Sequence, residues 1–123
     1  MSLSNRFILA GVAYGVIGFV MGIAMASMQD YSLKPVHSHI GLLGWVSMVL
    51  YGLIYRSYSA MAEEKLANWQ FYISNIGLIG MMLTLAMVVK GNQSVVMVLV
   101  ISEVAVVIGM LLFAWLVWKH RNA

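Results

Sequence analysis

KPVHSHIGLLGWVSMVLYGLIYR, residues 34–56, is the stretch that decides the fold. It holds the one proline of the chain, two of its three histidines and a basic residue at its end. Between Lys34 and Arg56 no side chain carries a fixed charge. An α-helix rises about 1.5 Å per residue, so such a run matches a hydrocarbon core of about 30 Å. In lipid the backbone must bond to itself, which makes the run helical. Pro35 lacks an N–H and fits a first turn, where that group would be unpaired anyway. The expected helix therefore runs over 35–58.

Three more apolar runs flank it. Helices are expected over 7–28, 69–89 and 94–118, separated by short polar breaks. The 123 residues are 63% hydrophobic and 9% charged, and mean hydropathy is +0.92. Soluble domains carry roughly 25% charged residues, so a water-soluble domain is excluded. The alternating ten-residue pattern of a membrane barrel is absent. The expected fold is all-α: one domain, residues 1–123, forming an integral membrane bundle of four transmembrane helices. Ala24-Met25-Ala26 resembles a signal-peptidase site, but the apolar run before it exceeds the 7–15 residues of a signal core. It is expected to stay as a helix. With no cysteine, disulfides and thiolate metal sites are excluded. The +3 charge comes from residues at helix ends, with no polybasic run, so no nucleic-acid partner is expected.

Four spans put both termini on one side. Arg6, Arg56, Lys65, Lys119 and Arg121 lie there, against Lys34 and Lys90 opposite. The positive-inside rule then makes both termini cytoplasmic, in a multi-pass protein of a bacterial-type inner membrane. Trp69, Trp115 and Trp118 fall at the inner interface as an aromatic belt; Trp45 does not. In the first helix Gly11, Gly15, Gly18 and Gly22 share a face, which suits close approach of another helix.

His37 and His39 are the candidate ligands. On a helix, residues i and i+2 stand about 200° apart, so the two rings should serve different sites rather than chelate one ion. Both could also be wetted by outer headgroups. At regular pitch Gly41 and Gly44 share the face of His37, and Met48, Tyr51 and Tyr55 continue it; the missing side chains either leave a flat slot for a porphyrin edge or, equally by spacing, admit a neighbouring helix. Glu103 is the other outlier, about nine residues into the fourth helix. A carboxyl group at that depth is costly and marks a functional candidate. It could donate a proton or partner a histidine ring or a cofactor propionate. Tyr14, Asn75 and Thr84 are expected to make interhelical hydrogen bonds, and His120 to be solvated. The scattered methionines read as gap-fillers.

Lys34-Pro35-Val36-His37-Ser38-His39, followed by Gly41, Trp45, Gly52 and Tyr55, resembles the second helix of haem-copper oxidase and nitric oxide reductase catalytic subunits. The resemblance covers about residues 6–58. It implies that His37 is an axial ligand of a haem b. Those subunits have twelve helices in three groups of four, and this chain has one group. Its third helix lacks histidine, so the copper site of the family, and copper-dependent oxygen reduction with it, is not implied. Three copies would imitate the twelve-helix core. A homotrimer would let His37 of one protomer and His39 of the next clamp a haem b at each interface, near the outer surface.

Three readings stand at the level of sequence. The first is a haem-b membrane protein for electron transfer, for redox or haem sensing, or as a minimal reductase. Two axial histidines leave no open iron position, which favours electron transfer. The second is copper or zinc binding or transport through His37 and His39, with Glu103 as a further candidate ligand, which an unwound start to the second helix would favour. The third is an assembly subunit without a cofactor. The electron donor and acceptor are not named by the sequence.

Overall fold

The computed structural model describes residues 1–122. Among these, four long helices are apolar enough to cross a membrane: α1 (Leu3–Met28), α2 (Lys34–Ser57), α3 (Lys65–Val89) and α4 (Gln93–Lys119). The protein is an all-α, multi-pass membrane bundle. α1 begins four residues before its apolar run because Ser2 caps it, accepting from the Asn5 N–H at 3.1 Å. Gln29 ends it in the left-handed region, φ 51°, which lets Asp30 N–H reach back to the Met25 carbonyl. Pro35 stands in the first turn of α2, as expected. The polar break is shorter than its composition suggests. A single helical turn, Ser59–Ala62, fills part of it, and α3 starts at Lys65 rather than 69.

α2 is not uniform. From Ile40 to Val46 it widens to π geometry, with about one extra residue in the turn. The Ser47 hydroxyl donates to the Leu42 carbonyl, five residues back, at 2.7 Å.

The helices run up, down, up and down. α1 packs along α2, and α3 along α4. The glycine face of α1 does what its spacing implies. Gly11 lies against Val49, Gly15 against the Trp45 ring, Gly18 against Ile40 and Gly22 against His37. Gly77 and Gly109 let α3 and α4 meet in the same way. Burial against lipid gives no hydrophobic gain, so such close packing and buried hydrogen bonds hold the bundle.

The two hairpins join in the half of the bundle nearer the termini, around Phe7, Tyr51, Tyr55, Phe71 and Phe113. Ring centroids there lie 4.6–5.5 Å apart. Beneath them Tyr55 donates to Gln70 Oε1 at 2.9 Å, and Gln70 Nε2 donates to Ser74 Oγ at 3.2 Å. Gln70 is fully buried, so its carbonyl has no water to fall back on. Tyr55→Phe should therefore cost about 1–3 kcal/mol, read as a lower unfolding midpoint in detergent. An unchanged midpoint would show that this bond contributes nothing.

The ends are tied separately. At one end Arg6 donates to Tyr72 Oη at 3.2 Å and to Asn68 Oδ1, and covers the Phe71 ring. Arg56 donates to Asn5 at 2.6 Å. Glu64 meets Lys119 at 2.7 Å and His120 at 2.9 Å. His120 is thus paired, not merely solvated, because the earlier start of α3 brings Glu64 beneath the end of α4. Lys119 first, then His120, hold the Glu64 carboxyl below its usual range. Both termini share this end. At the other end Lys90 meets Asp30 at 3.3 Å and Ser32 at 2.7 Å.

Bonds from Ser32, reinforced by Lys90, lower the Asp30 carboxyl to about 2. A lowered carboxyl stabilises the fold above the ordinary carboxylate range and loses that contribution only as pH falls through its folded value. The Asp30 tie is therefore intact across neutral pH and is lost near pH 2. Asp30→Asn should speed hydrogen exchange over 29–34 at neutral pH yet leave the unfolding midpoint in place, because exposed pairs contribute little. A large midpoint shift would contradict this.

Candidate functional site

The half of α2 away from the chain termini holds both candidate histidines. His39 Nδ1 lies 2.6 Å from the Pro35 carbonyl, one turn back. A carbonyl only accepts, so Nδ1 carries the proton and Nε2 presents its lone pair. A ligand histidine is held in this way, with one ring nitrogen donating to an acceptor.

His37 turns the other way. Its Cε1 lies 3.1 Å from where a Gly22 Cβ would stand, so the ring occupies the space that glycine leaves on α1. His37 Nδ1 is buried without a hydrogen-bond partner. The sequence singled out Gly22 only as part of a packing face. That one of these glycines seats the histidine depends on the register between α1 and α2, which spacing within α1 does not contain.

The rings open into two grooves separated by a ridge of Ser38 and Leu42. The larger, about 420 Å³, is lined by Gly15, Gly18, Phe19, His37, Gly41 and Trp45. The smaller, about 260 Å³, is lined by His39 and Leu43 against the same ridge. The divergence expected of an i, i+2 pair on a helix is what the structure has. α2 is wound from its start, with His37 N–H bonded to the Leu33 carbonyl at 2.9 Å. The unwound geometry that would bring both rings onto one ion is therefore not present. Among the described residues no three histidine, aspartate or glutamate side chains converge as a ligand set.

The two glycines separate. Gly41 has nothing within 4 Å of its would-be Cβ and opens to the larger groove. Gly44 is buried against Tyr14, whose Cβ and Cγ would stand 2.7 Å away. The expectation of one shared face assumed regular pitch; the wide turn between them rotates Gly44 onto α1. Met48, Tyr51 and Tyr55 follow it into the core.

Glu103 is not brought to the histidines within one chain. It sits on the exposed face of α4, and among the described residues no ion pair includes it. Tyr14 does make its interhelical bond, donating to Asn75 Oδ1 at 2.9 Å. Thr84 does not: its hydroxyl returns to the Gly80 carbonyl of its own helix at 2.7 Å. The Tyr55–Gln70–Ser74 chain was not singled out in the sequence, although a glutamine inside an apolar run is a usable signal. Comparison of the chain with protein-family models, curated proteins and solved structures finds no match.

Proposed function

We propose that the protein is a haem-b membrane protein, a homotrimer in which His37 of one copy and His39 of the next are the axial ligands. One observation carries this reading. A single helix presents two imidazoles into separate grooves, and His39 is already oriented by Pro35 with Nε2 free. One copy alone can offer one ligand per groove, so a pair of axial ligands needs a neighbour.

The lining suits the group. Gly15, Gly18 and Gly41 give the larger groove a low floor, and Phe19 and Trp45 flank it with aromatic surface. Haem iron accepts imidazole ligands, and axial ligation with burial sets its potential. The bound haem would supply one-electron chemistry. Within the chain His37 and His39 bind, Pro35 orients, Gly41 leaves room, and Gly44 lets α1 approach behind them. The resemblance to the second helix of haem-copper oxidase catalytic subunits supports the same assignment for His37. With both termini in the cytoplasm, the site lies near the outer surface of a bacterial-type inner membrane. The role is electron transfer, or redox or haem sensing.

The test is a dithionite-reduced minus oxidised spectrum of protein purified from haem-replete cells. Sharp bands of six-coordinate haem b are expected. A flat spectrum from folded protein overturns the reading, and metal analysis of that sample then separates a copper or zinc site from a cofactor-free subunit.

A further inference from the structure

Of the four acidic residues, Glu103 alone lies within a membrane-spanning helix. It stands about 15 Å below the start of α4 at Gln93 by helix rise. Val100, Val104 and Val107 around it are exposed, and α4 has the least covered apolar window of the four helices, 17% buried. A lone copy would therefore hold a carboxyl group against hydrocarbon. In either protonation state that group needs a hydrogen-bonding partner, and such residues face a protein or water-filled interior.

Few side chains can serve at that level. Among the described residues, those with an N–H or O–H within about one turn of it are Trp45, Ser47 and Ser102. The Ser47 proton is taken by the Leu42 carbonyl. Ser102 is buried against Gly80 of α3. Trp45 remains, about 16 Å below Lys34 by helix rise. Its ring rests on Gly15, and its Nε1–H finds no acceptor within the chain yet is not sealed from the surface. α2 and α4 start at the same end of the bundle, so both side chains lean the same way and their levels stay matched. Contacts inside the chain agree. Gly80 on Ser102 and Gly77 on Ala105 set Glu103 about one turn beyond Asn75, away from the termini. Tyr14, next to Gly15, leans back toward the termini to reach Asn75, so the Gly15 level also lies beyond Asn75.

The two groups face different sides of one molecule. Trp45 and His37 both lie against α1, on Gly15 and Gly22. Glu103 shares a face of α4 with Met110, two turns on, whose Sδ accepts from the Tyr51 hydroxyl of α2 at 3.4 Å. His39 opens into a groove with no α1 residue in its lining. A neighbour that brings its His39 to His37 therefore brings its α4 toward Trp45. We infer that Glu103 of one copy accepts a hydrogen bond from the Trp45 indole N–H of the next. An indole only donates, and a carboxyl group can accept whether or not it is protonated. The contact joins unlike patches, so it is head-to-tail, and a ring results if the rotation closes. The inference deepens the haem reading and rests on it for which sides meet, but the hydrogen bond itself does not require haem.

The chain has four tryptophans and no cysteine, which makes two readouts clean. Isotope-labelled full-length protein gives four indole N–H signals by nuclear magnetic resonance, and W45F, which keeps a ring on Gly15, identifies that of Trp45. E103A should move this signal and leave the other three, whereas E103Q, which still accepts, should hold it near its parent position. A Trp45 signal that E103A leaves in place overturns the pairing. The second readout asks whether the contact joins copies. V46C and V107C, on exposed positions beside the pair, leave both partners intact. Treated in native membranes with a short bifunctional thiol reagent, that chain should give a ladder of covalent oligomers. V107C with I76C, on an exposed position of α3, should give none. No ladder above that control also overturns the pairing. The difference spectrum of the same membranes separates the two ideas. A ladder and a moved signal without haem bands leave the pairing standing and remove the haem reading. Bands without them do the reverse.

Discussion

Alanine at His37 is expected to strip the proposed haem from the protein, and alanine at His39 to do the same. In the proposed assembly each interface uses one ring of each kind, so either substitution would remove a ligand from every site at once. Loss of an outer partner alone commonly costs 10–100-fold in affinity at a metal site; loss of a ligand itself should cost at least about tenfold. The readout is haem per polypeptide from the pyridine haemochrome spectrum. The variants differ in what else they disturb. His37 fills the space over Gly22, so His37→Ala also leaves a cavity between α1 and α2. His39 faces the shallow groove, and His39→Ala should fold as the parent does.

Co-expression makes the expectation sharper. A chain lacking His37 still offers His39, and a chain lacking His39 still offers His37. Mixed oligomers should recover haem at the interfaces where the two intact histidines face one another. A site built within one chain gives no recovery. Full haem in both single variants would end the shared-ligand idea.

The second large effect separates two glycines three residues apart. Gly44→Ala puts a methyl 2.7 Å from Tyr14 Cβ and Cγ. The base of that side chain cannot swing away, so α1 and α2 must part. Overpacking of this kind costs about 1–3 kcal/mol, and the unfolding midpoint should fall. Gly41→Ala meets nothing within 4 Å, and its midpoint should hold. Its methyl projects into the larger groove beside His37, so haem content should fall instead. If the two variants exchanged phenotypes, the placement of the wide turn would be wrong.

Much of this was legible in the residues. Four runs of bilayer length, a proline before the second and a glycine face on the first made helix number, order and close packing on α1 legible; that α2 is the helix packed there comes from the structure. The divergence of His37 and His39 followed from helical pitch. What pitch could not supply was its own interruption: nothing in IGLLGWV announces an extra residue in a turn, so spacing alone left open that Gly44 admits α1 while Gly41 stays uncovered. Capping by Ser2 moved the start of α1, and α3 begins at Lys65, just after Glu64, whose carboxylate pairs with the end of α4 rather than capping the helix. The pairing of His120 depended on that shift. Glu103 was legible as an anomaly in depth, but its outward direction depends on how α4 rotates against α3, which its own sequence leaves open.

The wide turn of α2 has a consequence for how this helix tolerates change. Above it the register is set by His37 on Gly22 and Ile40 on Gly18; below it, by Val49 on Gly11 and Ile8 on Gly52. The extra residue between them works as a phase joint. Removing one residue from 40–46 would restore regular pitch and turn one end by about 100° relative to the other. Either the histidines would leave their grooves or Tyr51 and Tyr55 would leave the aromatic core. The length of α2 between His39 and Ser47 therefore cannot vary by even one residue.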